Sequence, residues 1–230
     1  MYENVFQRVE QKYIISKEQR DNLLEKINEY VEKDPYFESK ICNIYFDNNE
    51  NDLMVNSLEK PEFKAKVRLR SYDVPNMDSQ VFLEVKDKYK GVVGKRRIKL
   101  SLKEFYDYYE NGLVKDNQIM KELNYYFKMF DLKPFIFLAY DRNSYYEKGN
   151  RNLRITLDSN LRSRYNDLRL ELGDNGKKYF DEDTYIMEIK VMNAMPLWLT
   201  RILSELKIYP TSFSKVGSIY SKEKESECLC

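Results

Sequence analysis

Lys64, Lys66, Arg68 and Arg70 occupy every second position of one short segment, and Phe63, Ala65, Val67 and Leu69 fill the positions between them. Successive side chains of a β-strand point to opposite faces, so the segment reads as a strand with one cationic and one apolar face. Alone, such a strand is an ordinary solvated edge. The same parity recurs along the chain, at Arg8, Glu10 and Lys12, at Glu84 and Lys86, at Lys95 and Arg97, at Arg154 and Asp158, and at Glu188 and Lys190. Many strands that each present cations and an occasional carboxylate on one face imply a surface built to hold a polyanion and a metal ion.

The charge is segregated, not global. Net charge over the 230 residues is only +1, so no nucleic-acid-type basic field surrounds the molecule. Between Glu62 and Lys103, however, twelve Lys or Arg face five Asp or Glu. The chain has no histidine. That excludes Ser-His and Cys-His nucleophile pairs and His-ligated zinc. A metal here must sit on oxygen ligands, which favours Mg²⁺ or Mn²⁺. The three cysteines, Cys42, Cys228 and Cys230, form no disulfide framework. The residue fourth from the end is Glu227, so no prenylation is expected. The first ten residues are polar and lead straight into a strand pattern, and no run approaches the ~20 apolar residues of a membrane span. The expected location is the cytoplasm.

Glycine and proline are scarce, at seven and six, and no linker marks an internal boundary. Residues 1–222 are expected to form one domain, followed by a polar tail over 223–230. Strands are expected over Val5–Ile15, Cys42–Asp47, Glu62–Tyr72, Val81–Lys88, Lys95–Leu100, Phe135–Tyr145, Asn152–Asn160 and Tyr185–Met192, with a turn at Gly91–Gly94. Helices are expected after the capping boxes Ser16/Gln19 and Ser101/Glu104, the second ending at Gly112, then over Asn117–Phe130, after Pro196, and over Ser212–Ser221. The first helix places Leu23, Leu24, Ile27, Tyr30 and Val31 on one face. Eight strands suffice to close a barrel that holds one small ligand. The amphipathic helices need an apolar surface to cover, so the apolar strand faces point outward to them and the charged faces inward. The expected fold is α+β: a closed antiparallel β-barrel, or tunnel, of about eight strands with a charged interior and helices packed outside. Burying so many cations is costly unless a polyanion meets them.

At Arg8–Tyr13, Ile44–Asp47, Lys66–Tyr72, Phe82–Lys86, Gly94–Arg97, Tyr140–Arg142, Leu153–Asp158, Met187–Lys190 and Ser212–Lys215, in that order, the sequence resembles the polyphosphate polymerase (VTC, vacuolar transporter chaperone) domain of the triphosphate tunnel metalloenzyme superfamily. The resemblance implies transfer of the ATP γ-phosphate to a growing polyphosphate chain, with release of ADP. It implies phosphate-binding, catalytic roles for Lys12, Arg68, Arg70, Lys86, Arg142, Arg154 and Lys215. Around them, Arg8, Lys66, Lys95, Arg97, Tyr140, Lys190 and Ser214 would contact substrate. Glu188, with Glu10 or Glu84, would hold Mn²⁺ or Mg²⁺. Hydrolases of the superfamily begin with Glu-x-Glu-x-Lys, and here Arg8 replaces the first Glu, as in the polymerase branch. A basic residue expected just before the Ser-Lys pair is Ser212.

Plainer readings compete residue by residue. Lys64–Arg70 also suits a solvated face, Glu188 and Lys190 a cross-strand ion pair, and Arg96 an outward turn exit. Asp158 fits a pairing at the barrel mouth as well as a metal role. Trp198 and the twenty tyrosines suit packing. Two other functions stand beside the polymerase: a tripolyphosphatase or nucleoside triphosphatase in the same tunnel, and a non-catalytic polyphosphate-binding module. The expected partners are ATP and polyphosphate, with no nucleic acid; the sequence leaves open whether product stays in the cytoplasm or passes to a separate membrane partner.

Overall fold

The computed structural model describes residues 8–59, 61–90, 92–112 and 116–227, without the side chains of Arg8, Ser226 and Glu227. Gly91, Cys228 and Cys230 lie outside the described residues. In chain order the elements are β1 (Arg8–Ser16), α1 (Lys17–Ile27), β2 (Val31–Asp47), α2 (Asp52–Glu59), β3 (Phe63–Tyr72), β4 (Gln80–Tyr89), β5 (Val92–Ser101), α3 (Leu102–Asn111), α4 (Gln118–Met129), β6 (Lys133–Glu147), β7 (Asn150–Arg164), β8 (Lys177–Lys178), β9 (Thr184–Met192), α5 (Leu197–Glu205) and α6 (Lys215–Glu227).

Both capping boxes form. The Ser16 hydroxyl accepts from the Gln19 N–H at 3.1 Å, and the Ser16 N–H donates to Gln19 Oε1 at 3.2 Å. Ser101 and Glu104 repeat the exchange, and Gly112 ends α3 in the left-handed region at φ 68°. Other boundaries differ from the sequence reading. Tyr30 and Val31 are not helical. Tyr30 stacks on Trp198 at 4.3 Å, and Val31 is buried at the start of β2. Pro35 disfavours helix at the residue before it and so helps to keep this stretch extended. β2, β6 and β7 run well beyond their expected limits, while α6 starts at Lys215 instead of Ser212. Helix α2 was not expected at all. Its N-terminus is held by the buried Asp47 carboxylate, which accepts N–H groups from Leu53 and Met54 at 3.0 and 2.9 Å.

The strands form one nine-stranded sheet in the order β1-β9-β7-β6-β2-β3-β4-β5, with β8 paired to β7. The expected closed barrel is therefore corrected: β1 and β5 are the two ends of the order, and no pairing joins them among the described residues. β5 is a strand with Lys95, Arg96, Arg97 and Lys99, the kind of charged edge that resists addition of another strand.

The residues divide into two compact units, one of residues 1–39, 140–161 and 178–214, the other of 40–139, 162–177 and 215–230. In the first, Tyr13, Ile155, Met187 and Ile189 of the strands pack on Leu23 and Ile27 of α1 and Leu199 and Leu203 of α5. In the second, Ile44, Phe46, Val67, Leu69, Leu83 and Val85 pack on Leu102, Phe105 and Tyr108 of α3 and Met120 and Leu123 of α4. Within each unit the helices thus cover the apolar strand face, as their own apolar stripes require. Among the described residues, no helix is long and apolar enough to cross a membrane. Leu123 is fully buried whereas Tyr125, two residues on, is 62% exposed. Leu123→Ala is expected to lower stability by about 2–5 kcal/mol in urea unfolding, and Tyr125→Ala by no more than about 0.5 kcal/mol.

Candidate functional site

In the second unit, strand register aligns polar side chains in rows across β2, β3, β4 and β5. Tyr45 pairs with Arg68, Arg68 with Glu84, and Glu84 with Arg97. One step along, Lys66 pairs with Lys86 and Lys86 with Lys95. Glu84 is buried. Its Oε2 accepts from Arg68 Nε at 2.7 Å, while Lys95 Nζ and Arg97 Nε each lie 3.2 Å from Oε1. Oε1 accepts no aligned hydrogen bond, so these last two contacts are ionic. Burial pushes the Glu84 carboxyl up, but Arg68, Arg70 and Lys95 outweigh it and hold the group down at about 2. Lys95 is lowered, first by burial and then by Arg68 and Arg70 acting against the pull of Glu84.

Uncharged residues aim these cations. Arg68 Nη1 donates to the Tyr45 hydroxyl at 3.1 Å. Burial raises the Tyr45 phenol, yet Arg68, Arg70 and Lys66 bring it down to about 8. Arg70 Nε donates to Asn43 Oδ1 at 2.8 Å, and the Asn43 amide donates to the Leu138 carbonyl at 3.1 Å. Arg97 lies 3.5 Å over the Phe82 ring. Asn43, Tyr45 and Phe82 were missed in the sequence. The available signal was strand parity: each pairs directly with Arg68 or Arg70 in the register.

The first unit is built differently. Glu10 pairs with Lys190 and Lys12 with Glu188 across β1 and β9, while Arg154 pairs with Lys190 across β7 and β9. Cations and carboxylates therefore alternate. Lys190 contacts the Glu188 carboxylate and lies 3.7 Å from Glu10 Oε2, and Lys12 Nζ is 3.3 Å from Glu10 Oε1. Arg142 grips the buried Asp158 with two bonds, 2.6 and 2.8 Å long, and lies 5.2 Å from the Tyr140 ring. Burial lowers the Arg142 guanidinium, but Tyr140, Asp158 and Glu188 raise it well above its ordinary value. Asp158 thus serves as the partner of Arg142. Arg154 Nη2 reaches Ser144 Oγ at 3.3 Å and Asp34 Oδ2 at 3.5 Å, and its buried Nε has no partner. Asp34 and Ser144 were also missed, since neither lies in a clean alternation.

The structure thus gathers Arg68, Arg70, Lys66, Glu84, Lys86, Lys95 and Arg97 on three neighbouring strands of one unit. It gathers Glu10, Lys12, Tyr140, Arg142, Arg154, Glu188 and Lys190 in the other. Ser214 directly precedes α6 and Lys215 is its first residue. Arg8 begins β1 opposite Met192, and its side chain lies outside those described. Arg96, read as outward, binds Asp87 and Glu122 on the helix-covered side at 2.7 and 2.6 Å. Among the described residues, no three His, Cys, Asp or Glu side chains group to hold a metal. Glu10 and Glu188 share Lys190, and two carboxylates with phosphate oxygens make a usual Mg²⁺ set.

A family model for the VTC domain matches residues 7–221. The chain belongs to the VTC domain family. This VTC domain is 30% identical over 149 residues to vacuolar transporter chaperone complex subunit 4 of Schizosaccharomyces pombe, a match that takes in 54% of the chain and 20% of that relative. The chain therefore spans about one-fifth of that relative's length. Two solved structures share the fold. One is a candidate adenylate cyclase from Bacillus halodurans, with TM-score 0.55, 15% identity, and 90% and 93% of the two chains covered. The other is a Hippeastrum candidate adenylyl cyclase with a dominant triphosphatase activity, with TM-score 0.56, 15% identity, and 94% and 96% covered.

The Glu84 cluster makes the VTC domain acid-sensitive in a defined window. A carboxyl depressed on folding stabilises fully above its ordinary value and loses that contribution as pH falls toward the folded value. Stability is therefore expected to fall between about pH 4.5 and about pH 2. Urea unfolding at stepped pH should show a shallower slope in that window for Glu84→Gln than for wild type.

Proposed function

We propose that this VTC domain is a metal-dependent polyphosphate polymerase that transfers the γ-phosphate of ATP to the end of a polyphosphate chain. The observation that carries the reading is the row Lys66–Lys86–Lys95 beside the Arg68–Glu84–Arg97 row. Like charges directly opposite on neighbouring strands are destabilising. Three lysines stand side by side in one row and two arginines flank Glu84 in the next, a concentration of cations on neighbouring strands that suits a polyanionic ligand.

An oxygen of the terminal chain phosphate attacks the γ-phosphorus. The bond from the γ-phosphorus to the oxygen bridging it to the β-phosphate breaks, and ADP departs with that oxygen. The attacking oxygen is already ionised near pH 7, so no general base is needed. That agrees with the absence of histidine. What remains is alignment and neutralisation of charge. Arg68, Arg70, Arg142 and Arg154 suit forked phosphate contacts, and Lys12, Lys86 and Lys215 suit point-charge contacts. Lys66, Lys95, Arg97, Lys190, Tyr140, Ser214 and Arg8 extend the grip. Glu188 and Glu10 are the residues to hold Mn²⁺ or Mg²⁺, and a bound ion would supply Lewis-acid stabilisation of the phosphoryl oxygens. Glu84, set among three cations, suits the role of counter-ion better than that of metal ligand.

Incubation with ATP and Mn²⁺ should give ADP and acid-insoluble polyphosphate with little free phosphate. ADP matched by free phosphate would make the domain a hydrolase despite Arg8. Binding of polyphosphate without turnover would make it a binding module. Arg68→Ala is expected to weaken polyphosphate binding by about 1.5–3 kcal/mol, the worth of a hydrogen bond to a charged group, as read by calorimetric titration.

A further inference from the structure

Thr156 stands in the middle of the charged face of the first unit. It lies on β7 two residues from Arg154 and two from Asp158, and it pairs in register with Glu188, which in turn pairs with Lys12. Its side chain is 5% exposed, and the hydroxyl Oγ1 is buried with no hydrogen-bond partner. Leaving a buried hydroxyl unbonded costs about 1–3 kcal/mol. Leu153, Ile155 and Leu157, of opposite parity on the same strand, bury apolar side chains in the helix-covered core. Thr156 is instead a polar residue on the other face. A valine has nearly the same shape and would carry no orphaned group there.

We infer that Thr156 is a further substrate-binding residue, whose hydroxyl donates a hydrogen bond to a phosphate oxygen of a bound phosphate chain. The inference rests on the polyphosphate reading and adds to it a contact that no charged-residue pattern indicates. Three observations converge on it. Arg154 Nε, two residues away on the same strand, is likewise buried without a partner, so two donors on one face await an acceptor. The Asp158 carboxylate two residues away is taken up by Arg142 at 2.6 and 2.8 Å. The Glu188 carboxylate opposite is taken up by Lys190. The hydroxyl is thus the small uncharged donor of the group. It meets an anion without adding to the desolvation of another charge.

The test uses the whole chain and inorganic tripolyphosphate as probe, in the absence of divalent metal. Thr156→Val and Thr156→Ser are compared with wild type by calorimetric titration and by thermal unfolding. Thr156→Val should weaken tripolyphosphate binding about 10- to 100-fold, the range given by a hydrogen bond to a charged group at about 1.4 kcal/mol per decade. It should leave the melting temperature of the free protein unchanged or raised. Thr156→Ser should keep most of the affinity. That opposition is the signature, because a packing role would lower stability in the valine variant and leave affinity alone. Equal affinity of wild type and Thr156→Val would overturn the inference while leaving the polyphosphate reading intact. Failure of wild type to bind tripolyphosphate would overturn that reading as well.

Discussion

The arrangement in the second unit depends on one buried carboxylate. Glu84 lies among Arg68, Lys95 and Arg97, each within 3.2 Å of one of its oxygens. Removing a carboxylate from water costs several kcal/mol even after relaxation, so it is tolerated only where opposite charge surrounds it. Here three cations surround it. Glu84 fixes where its three neighbours sit, and Arg70, Lys66 and Lys86 stand on the same strands beside them. Cations held in place before a ligand arrives need no reorganisation when it does, which is the condition for electrostatic catalysis. The neutral residues serve the same end. Tyr45, Asn43 and Phe82 each fix a guanidinium by a hydrogen bond or by ring contact.

The first unit solves a different problem. Its charges are matched almost one for one: Arg142 with Asp158, Arg154 with Asp34, Lys190 with Glu188, and Lys12 with Glu10. Local balance makes this surface inexpensive to fold without a ligand. If Glu188 and Glu10 hold a metal ion as proposed, that ion would compete with Lys190 for them. A displaced Lys190 would then be available for a phosphate.

How far the sequence revealed this is a matter of period and charge. Wherever cations alternate with aliphatic residues, as over Lys64–Arg70, strand and face followed directly, and the capping boxes fixed the starts of α1 and α3. The first half of β2 was illegible because Val31 to Ile41 buries residues without alternation. Helix α2 was illegible because its decisive contact, Asp47 to the N–H groups of Leu53 and Met54, spans six and seven residues. Closure of the sheet was the wrong expectation, since strand count permits a barrel but does not require the first and last strands to pair. Within the candidate site the charged residues were visible and their supports were not. Asn43, Tyr45, Ser144 and Thr156 acquire meaning only through the strand that lies beside them.

The length of the cationic face bears on substrate choice. Lys64, Lys66, Arg68 and Arg70 lie along seven residues of β3, six steps or roughly 20 Å at ~3.4 Å per step in an antiparallel strand. Each is joined by a cation on β4 or β5, with Lys88 opposite Lys64, Lys86 opposite Lys66, Arg97 in the Arg68 row and Lys99 in the Arg70 row. A triphosphate is shorter than this ladder and would meet only some of its rows. A longer phosphate chain, with one negative charge at every link, would meet successive rows along its length. At one step of the ladder three lysines, Lys66, Lys86 and Lys95, stand side by side. Under the proposed reading, the length of the ladder, more than any single residue, suits a polymer.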